Sequence, residues 1–136
     1  MAKLAVFASG NGSNFEAIAE HLERTQHELD CLVCNKRQAG AVKRAEMRGI
    51  PVLRITYAKS DSEAERARKE ADLADELEHR GVDLIALAGF MRVLTPTFVD
   101  RFPGRIVNIH PALLPRYPGL DPVRRSVEAG ETELGV

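Results

Sequence analysis

The sequence is poor in the features that mark a nucleic-acid surface, a membrane anchor or a disulfide scaffold. An excess of one charge is missing: 19 Lys and Arg residues stand against 20 Asp and Glu residues, the formal net charge is -1, and no polybasic run occurs. Broad electrostatic attraction to DNA or RNA is thereby excluded, and any phosphate contact has to be local. Long apolar runs are missing too. Met1-Ala2-Lys3 leads straight into an apolar stretch of about six residues, too short and too early for a signal peptide or a membrane span, so a cytoplasmic location without membrane contact is expected. Cysteine is scarce. Cys31 and Cys34 have C-x-x-C spacing, but no second pair completes a metal site, and on a strand residues i and i+3 point to opposite faces. Buried, reduced thiols with no metal or redox role are expected. Repeats, low-complexity tracts and linkers are also absent, and 136 residues with 44% apolar content suit one hydrophobic core, so residues 1–136 are read as a single domain.

What is present is an alternation of short strands and helices. The apolar run Leu4-Ala5-Val6-Phe7-Ala8 ends at Ser9-Gly10-Asn11-Gly12-Ser13-Asn14, after which Phe15, Ile18, Ala19 and Leu22 recur at helical spacing. A second strand over residues 29–34 passes through Asn35 into a helix over 39–48 that Gly49 closes, and residues 51–55 read as a third strand. Residues 61–80 are highly charged, yet Ala64, Ala67, Ala71, Ala74 and Leu77 keep a narrow apolar stripe that predicts a long, largely solvated helix ended by Gly81. Residues 83–89 form a continuous apolar strand of the kind buried on both faces. A short helical stretch around 96–102 precedes a last strand over 105–110. Alternation of this kind predicts an α/β, Rossmann-like fold: a mainly parallel sheet, right-handed crossovers, helices on both faces, and ligands beyond the carboxyl ends of the strands.

Four segments fall at those ends. Between the first strand and first helix, G-N-G-S-N at residues 10–14 offers backbone N–H groups and the positive end of a helix dipole to a phosphate, and Ser13 or Asn14 can equally serve only as the helix cap. The segment is not a dinucleotide fingerprint, because Phe15 stands where G-x-G-x-x-G needs glycine, and a monophosphate suits it better. Asn108 and His110, two apart at the end of the last strand, share a face and can converge on an oxyanion, although a strand-end histidine can also be purely structural. A-G-F-M-R-V-L at residues 88–94 can line a pocket for a flat ring, and its apolar residues would suit an ordinary buried turn as well. H-P-A-L-L-P-R-Y-P-G-L at residues 110–120 carries Pro111, Pro115 and Pro118, which stiffen a loop that either holds His110 or simply packs.

Taken together and in this order, S-G-N-G-S-N, L-A-G-F-M-R-V-L and N-I-H-P-A-L-L-P-R-Y-P-G-L resemble the signature segments of the glycinamide ribonucleotide formyltransferases, across essentially the whole chain. The N-x-H-x-x-L-L-P segment is shared with other folate-dependent formyltransferases and hydrolases, whereas the G-N-G-S-N loop is particular to the ribonucleotide enzymes. The resemblance implies transfer of a formyl group from the co-substrate 10-formyltetrahydrofolate to the amine of glycinamide ribonucleotide in purine synthesis, with no metal. It implies that Gly12, Ser13 and Asn14 bind the substrate phosphate, that Met91, Arg92, Val93 and Leu94 line the folate pocket with Arg66 near the folate tail, and that Asn108 and His110 are catalytic. It implies no nucleic-acid or membrane partner and admits a homodimer.

The family also has a catalytic aspartate in a loop further along, then final strands and a long helix. The chain closes on Leu134-Gly135-Val136, which reads as the start of another strand, so a truncated domain lacking the C-terminal part of the family fold is expected, with little or no turnover on its own. Asp121 does not fill the role, since the family motif has a different residue there. Two other readings stand beside this one: a folate-dependent formyltransferase or hydrolase with another acceptor, and an inactive phosphate-binding fragment.

Overall fold

The computed structural model describes residues 1–109. Among the described residues nine elements alternate: β1 (Lys3–Ala8), α1 (Ser13–Leu22), β2 (Glu28–Cys34), α2 (Gly40–Met47), β3 (Val52–Arg54), α3 (Glu63–His79), β4 (Leu84–Ala88), α4 (Pro96–Asp100) and β5 (Ile106–Ile109). The five strands form one sheet in the order β3-β2-β1-β4-β5, every pair parallel. The chain therefore builds outward from β1 in one direction, returns, and builds outward in the other. The place where the order reverses lies between β1 and β4, the position beyond whose strand ends open α/β sheets bind their ligands.

Alternation along the strands divides the core into two layers. Val6 and Ala8 of β1, Leu32 and Cys34 of β2, and Ala86 and Ala88 of β4 meet Phe15 and Ala19 of α1 and Ala41, Val42 and Ala45 of α2 on one face. Ala5, Phe7, Cys31, Val33 and Ile85 meet Leu73, Ala74 and Leu77 of α3 and Phe98 of α4 on the other, with Phe102 just beyond. Cys31 and Cys34 thus lie on opposite faces of the sheet, both buried and both free. Among the described residues no helix is long and apolar enough to cross a membrane.

The long charged helix begins where its cap dictates. Ser62 accepts from the backbone N–H of Glu65 while the Glu65 carboxylate accepts from that of Ser62, a reciprocal capping box that opens α3 at Glu63. The buried face of α3 is Glu70, Leu73, Ala74 and Leu77, spaced i, i+3, i+4, i+7. The alanine stripe expected from the sequence is thereby corrected: Ala64 is exposed and Ala67 and Ala71 are only half-buried. Alanine is tolerated on any helix face, whereas Leu73 and Leu77 lose far more by exposure, so the leucines set the rotation and carry Glu70 inward with them.

Candidate active site

The G-N-G-S-N loop leaves the carboxyl end of β1 and is seated against α2. Gly12 adopts a left-handed backbone (φ 84°) immediately before α1, and a Cβ there would lie 2.6 Å from the Ala41 Cα, so only glycine lets the loop approach α2 this closely. Ala41 donates its backbone N–H to the Gly10 carbonyl at 3.0 Å. Arg44 of α2 donates Nε–H to the Asn11 carbonyl at 2.9 Å and a terminal N–H to the Asn11 side-chain oxygen at 2.8 Å, a two-point brace on the tip of the loop. Among the described residues no side chain caps α1. Ser13 and Asn14 are exposed, and among the described residues no acceptor occupies their backbone N–H groups. Free amides at a helix N-terminus, approached by glycine and backed by an arginine, form a concavity suited to a compact anion.

The loop leaving β4 lies beside it. Gly89 (φ 79°) turns the chain, Met91, Arg92 and Val93 are exposed, and Leu94 is buried in the core layer shared with Phe98. Arg66 reaches this loop from α3, donating to the Val93 carbonyl at 3.0 Å, while its buried Nε has no partner among the described residues. The guanidinium groups of Arg66 and Arg92 lie 5.7 and 5.1 Å from the centre of the Tyr57 ring. The resulting surface is one aromatic ring flanked by two cations beside the loop that leaves β4.

Behind the loop is a group that sequence reasoning missed. Glu70 is fully buried, and its carboxylate accepts three hydrogen bonds: from the Thr95 backbone N–H at 2.8 Å, the Thr95 hydroxyl at 2.7 Å and the Tyr57 hydroxyl at 2.9 Å. Thr95 precedes Pro96 as the N-cap of α4; its hydroxyl makes no cap bond to that helix and donates to Glu70 instead. Burial, then the bond to Glu70, pushes the Tyr57 hydroxyl pKa well above the usual phenol range. The signal was readable: Glu70 falls on the i, i+3, i+4, i+7 row of Leu73, Ala74 and Leu77, and a charged residue in such a row needs buried partners.

Two further residues went unread. Ser9, at the end of β1, is 3% exposed, and its hydroxyl bonds both Asn35, just after β2, and the backbone of Met91. Neither lies in a periodic pattern or a charged cluster, so the sequence carries no sign of their meeting.

Asn108 lies on β5 beside Leu87 of β4, exposed, one strand over from the Met91 loop. The structure therefore brings three of the expected segments to adjacent strand ends in the order β1, β4, β5: the glycine loop, the 89–94 loop with Arg66, and Asn108. His110, the proline loop at 110–120, Asp121 and the closing residues 134–136 lie outside the described residues.

Comparison with known proteins adds independent findings. The formyl transferase family model matches residues 2–136. The chain is 42% identical to the phosphoribosylglycinamide formyltransferase of Bacillus subtilis (strain 168), over 100% of this chain and 69% of that protein. It is 39% identical to the Haemophilus influenzae protein of the same name, over 99% of this chain and 63% of that one. Among solved structures, glycinamide ribonucleotide transformylase 1 from Geobacillus kaustophilus superposes with a TM-score of 0.86 at 39% identity, covering 98% of this chain and 71% of its own. The chain spans roughly two thirds of the length of these relatives.

Proposed function

This chain belongs to the formyl transferase family, and on that premise we propose that it carries the substrate-binding part of an enzyme that formylates glycinamide ribonucleotide with 10-formyltetrahydrofolate, in the cytoplasm. The observation that carries the choice of acceptor is the glycine loop: exposed amides at Ser13 and Asn14, a left-handed Gly12 that only glycine tolerates, and the Arg44 brace behind Asn11. A site of that shape holds a phosphate monoester, the one strongly charged group on the acceptor. Residues 1–136 act as one domain in this reading.

The chemistry follows from that reading. The ribonucleotide, anchored by its phosphate at Gly12, Ser13 and Asn14, directs its amine along the crevice toward β4 and β5. The folate lies against Met91, Arg92 and Val93, with Leu94 as the buried floor of the loop and Arg66 near its acidic tail. The amine nitrogen attacks the formyl carbon and forms a C–N bond. The carbonyl electrons move to oxygen, giving a tetrahedral oxyanion. Collapse then breaks the bond to N10 of the folate, and the proton lost by the amine ends on that nitrogen. Asn108 supplies a neutral amide donor to the oxyanion and His110 a charged one.

The test is kinetic. Asn108→Ala and His110→Ala in the complete protein should each lower kcat by about 10²- to 10³-fold with small changes in KM, the usual cost of losing one preorganised oxyanion donor. The double variant should lose less than the product, because two donors to one oxyanion act as a unit. A His110→Ala protein that folds normally and transfers the formyl group near the parent rate would sink this mechanism. Transfer to glycinamide ribonucleotide no faster than to an acceptor without phosphate would sink the choice of substrate.

A further inference from the structure

Among the described residues only Ser9, Glu70 and Thr95 are polar or charged and buried, and two of them, Glu70 and Thr95, satisfy each other. Ser9 is bonded differently, because it joins three strand ends. Its backbone N–H donates to the Gly89 carbonyl at 3.1 Å. Its hydroxyl donates to the Asn35 side-chain oxygen at 2.5 Å and accepts from the Met91 backbone N–H at 2.8 Å. The ends of β1, β2 and β4 therefore meet on one serine. That serine stands immediately before the glycine loop, and its hydroxyl holds Met91, the first of the residues read above as lining the folate pocket.

We propose that Ser9 and Asn35 are positioning residues that fix the Met91 loop for folate binding; the inference rests on the functional reading given above. A hydroxyl has one proton and can rotate. With the Asn35 oxygen as its acceptor, the Ser9 proton is committed away from β4 and an oxygen lone pair is left aimed at the Met91 N–H. Without Asn35 that proton is free to swing toward Met91, where it would oppose the N–H it now receives. Without the hydroxyl, the Met91 N–H loses its acceptor in a half-buried position and the loop loses its tie to β1.

The effect should be selective. The phosphate loop has its own supports in Ala41, Arg44 and the Gly12 contact with α2, none of which involves the Ser9 side chain. Removing the hydroxyl should leave phosphate binding in place and loosen only the neighbouring loop.

Calorimetric titration of tetrahydrofolate and, separately, of ribose 5-phosphate into the complete protein tests this. Ser9→Ala should weaken tetrahydrofolate about 10-fold, the scale expected for losing one part-buried hydrogen bond that holds the loop. Asn35→Ala should weaken it several-fold, as expected for losing the group that aims the hydroxyl. Asn35→Asp should bind close to the parent, since a carboxylate oxygen still accepts the hydroxyl proton. Ser9→Ala/Asn35→Ala should be no worse than Ser9→Ala, because Asn35 acts only through Ser9. Ribose 5-phosphate should bind all four variants as it binds the parent. Unchanged tetrahydrofolate binding by Ser9→Ala overturns the proposal, as does an equal loss of both ligands in step with a fall in melting temperature. Should Ser9→Ala fail to fold, the contrast between Asn35→Ala and Asn35→Asp decides alone. A parent protein that binds neither ligand overturns the functional reading itself, an outcome distinct from failure of the variants.

Discussion

Gly12→Ala separates the two reasons for a glycine in the G-N-G-S-N loop. The backbone at Gly12 is left-handed (φ 84°), which costs a residue with a Cβ about 1–2 kcal/mol. The added methyl would also lie 2.6 Å from the Cα and 2.7 Å from the Cβ of Ala41, closer than any real contact. Ala41 is fully buried within α2 and packed in the core layer of β1 and β2, so it cannot yield without moving the helix. Overpacking of this kind costs about 1–3 kcal/mol. The sum is about 2–5 kcal/mol, or roughly 8–20 °C in Tm for a chain of this size. Gly104→Ala is the control. Its φ is 70°, but nothing lies within 4 Å of the added Cβ, so it should cost only the backbone part, about 1–2 kcal/mol. Urea denaturation followed by circular dichroism gives both values, and ribose 5-phosphate titration of the folded variants gives the second readout. Gly12→Ala should lose most of its phosphate affinity and Gly104→Ala none. Equal stability loss in the two variants would refute the close approach to α2. A destabilised Gly12→Ala protein with full phosphate affinity would refute the role of the loop.

Glu70→Ala should destabilise by about 3–5 kcal/mol, because it strands the Thr95 N–H and two hydroxyls and leaves a cavity. Glu70→Gln should cost clearly less, since its amide oxygen still accepts from Thr95; equal urea midpoints for the two would show that the hydrogen bonds contribute nothing. Burial, with the neighbouring Asp30 charge, pushes the Cys31 thiol from its ordinary value of 9.0 up to about 12. The unfolded chain therefore releases that proton first, so this contribution is whole below about pH 9 and is lost as pH rises toward 12. Urea midpoints should be flat to pH 9 and then fall, Cys31→Ala should flatten the slope between 9 and 10, and the raised Tyr57 hydroxyl should keep a slope above 10 in both proteins. A parent midpoint unchanged from pH 8 to 11 would contradict the burial of both groups.

How much of this was legible in the sequence depends on what each residue loses by exposure. The strand Leu84–Ala88 reads from its unbroken apolar run because both faces of a central parallel strand are covered, and β1 reads for the same reason. Cys31 and Cys34 reads correctly as opposite-facing because strand geometry has period two. The buried face of α3 misreads because alanine is indifferent to exposure and outnumbers leucine there. Glycine positions announce a tight loop between β1 and α1, but the reason it must be glycine at Gly12 is Ala41, 29 positions away, and no local pattern contains that contact. Ser9 and Asn35 are invisible for the same reason. Their meaning lies in the adjacency of three strand ends, which only the strand order creates.

That adjacency bears on the reaction itself. In the order β3-β2-β1-β4-β5, β1 is central, and its carboxyl end has the ends of both β2 and β4 as neighbours. In the proposed reading, the acceptor hangs from the loop after β1 and the donor from the loop after β4. Bond formation needs the amine within near-attack distance of the formyl carbon, and holding two reactants so can lower a barrier by about 7–11 kcal/mol. Loops supported separately would add their displacements, and the distance between amine and carbonyl would carry the sum. Here Ala8 and Ala88, the last strand residues before the two loops, are buried in one core layer, and Ser9 bonds the β4 chain at both Gly89 and Met91. The loops therefore move with one rigid sheet end, and a displacement of either is shared by the other. Asn108 belongs to the same frame, since β5 pairs with β4 from Ile85 to Ala88. In that reading the amide that meets the oxyanion is held by backbone ladder bonds to the strand that carries the donor's loop, and the Ser9 hydroxyl ties that loop to the same sheet end.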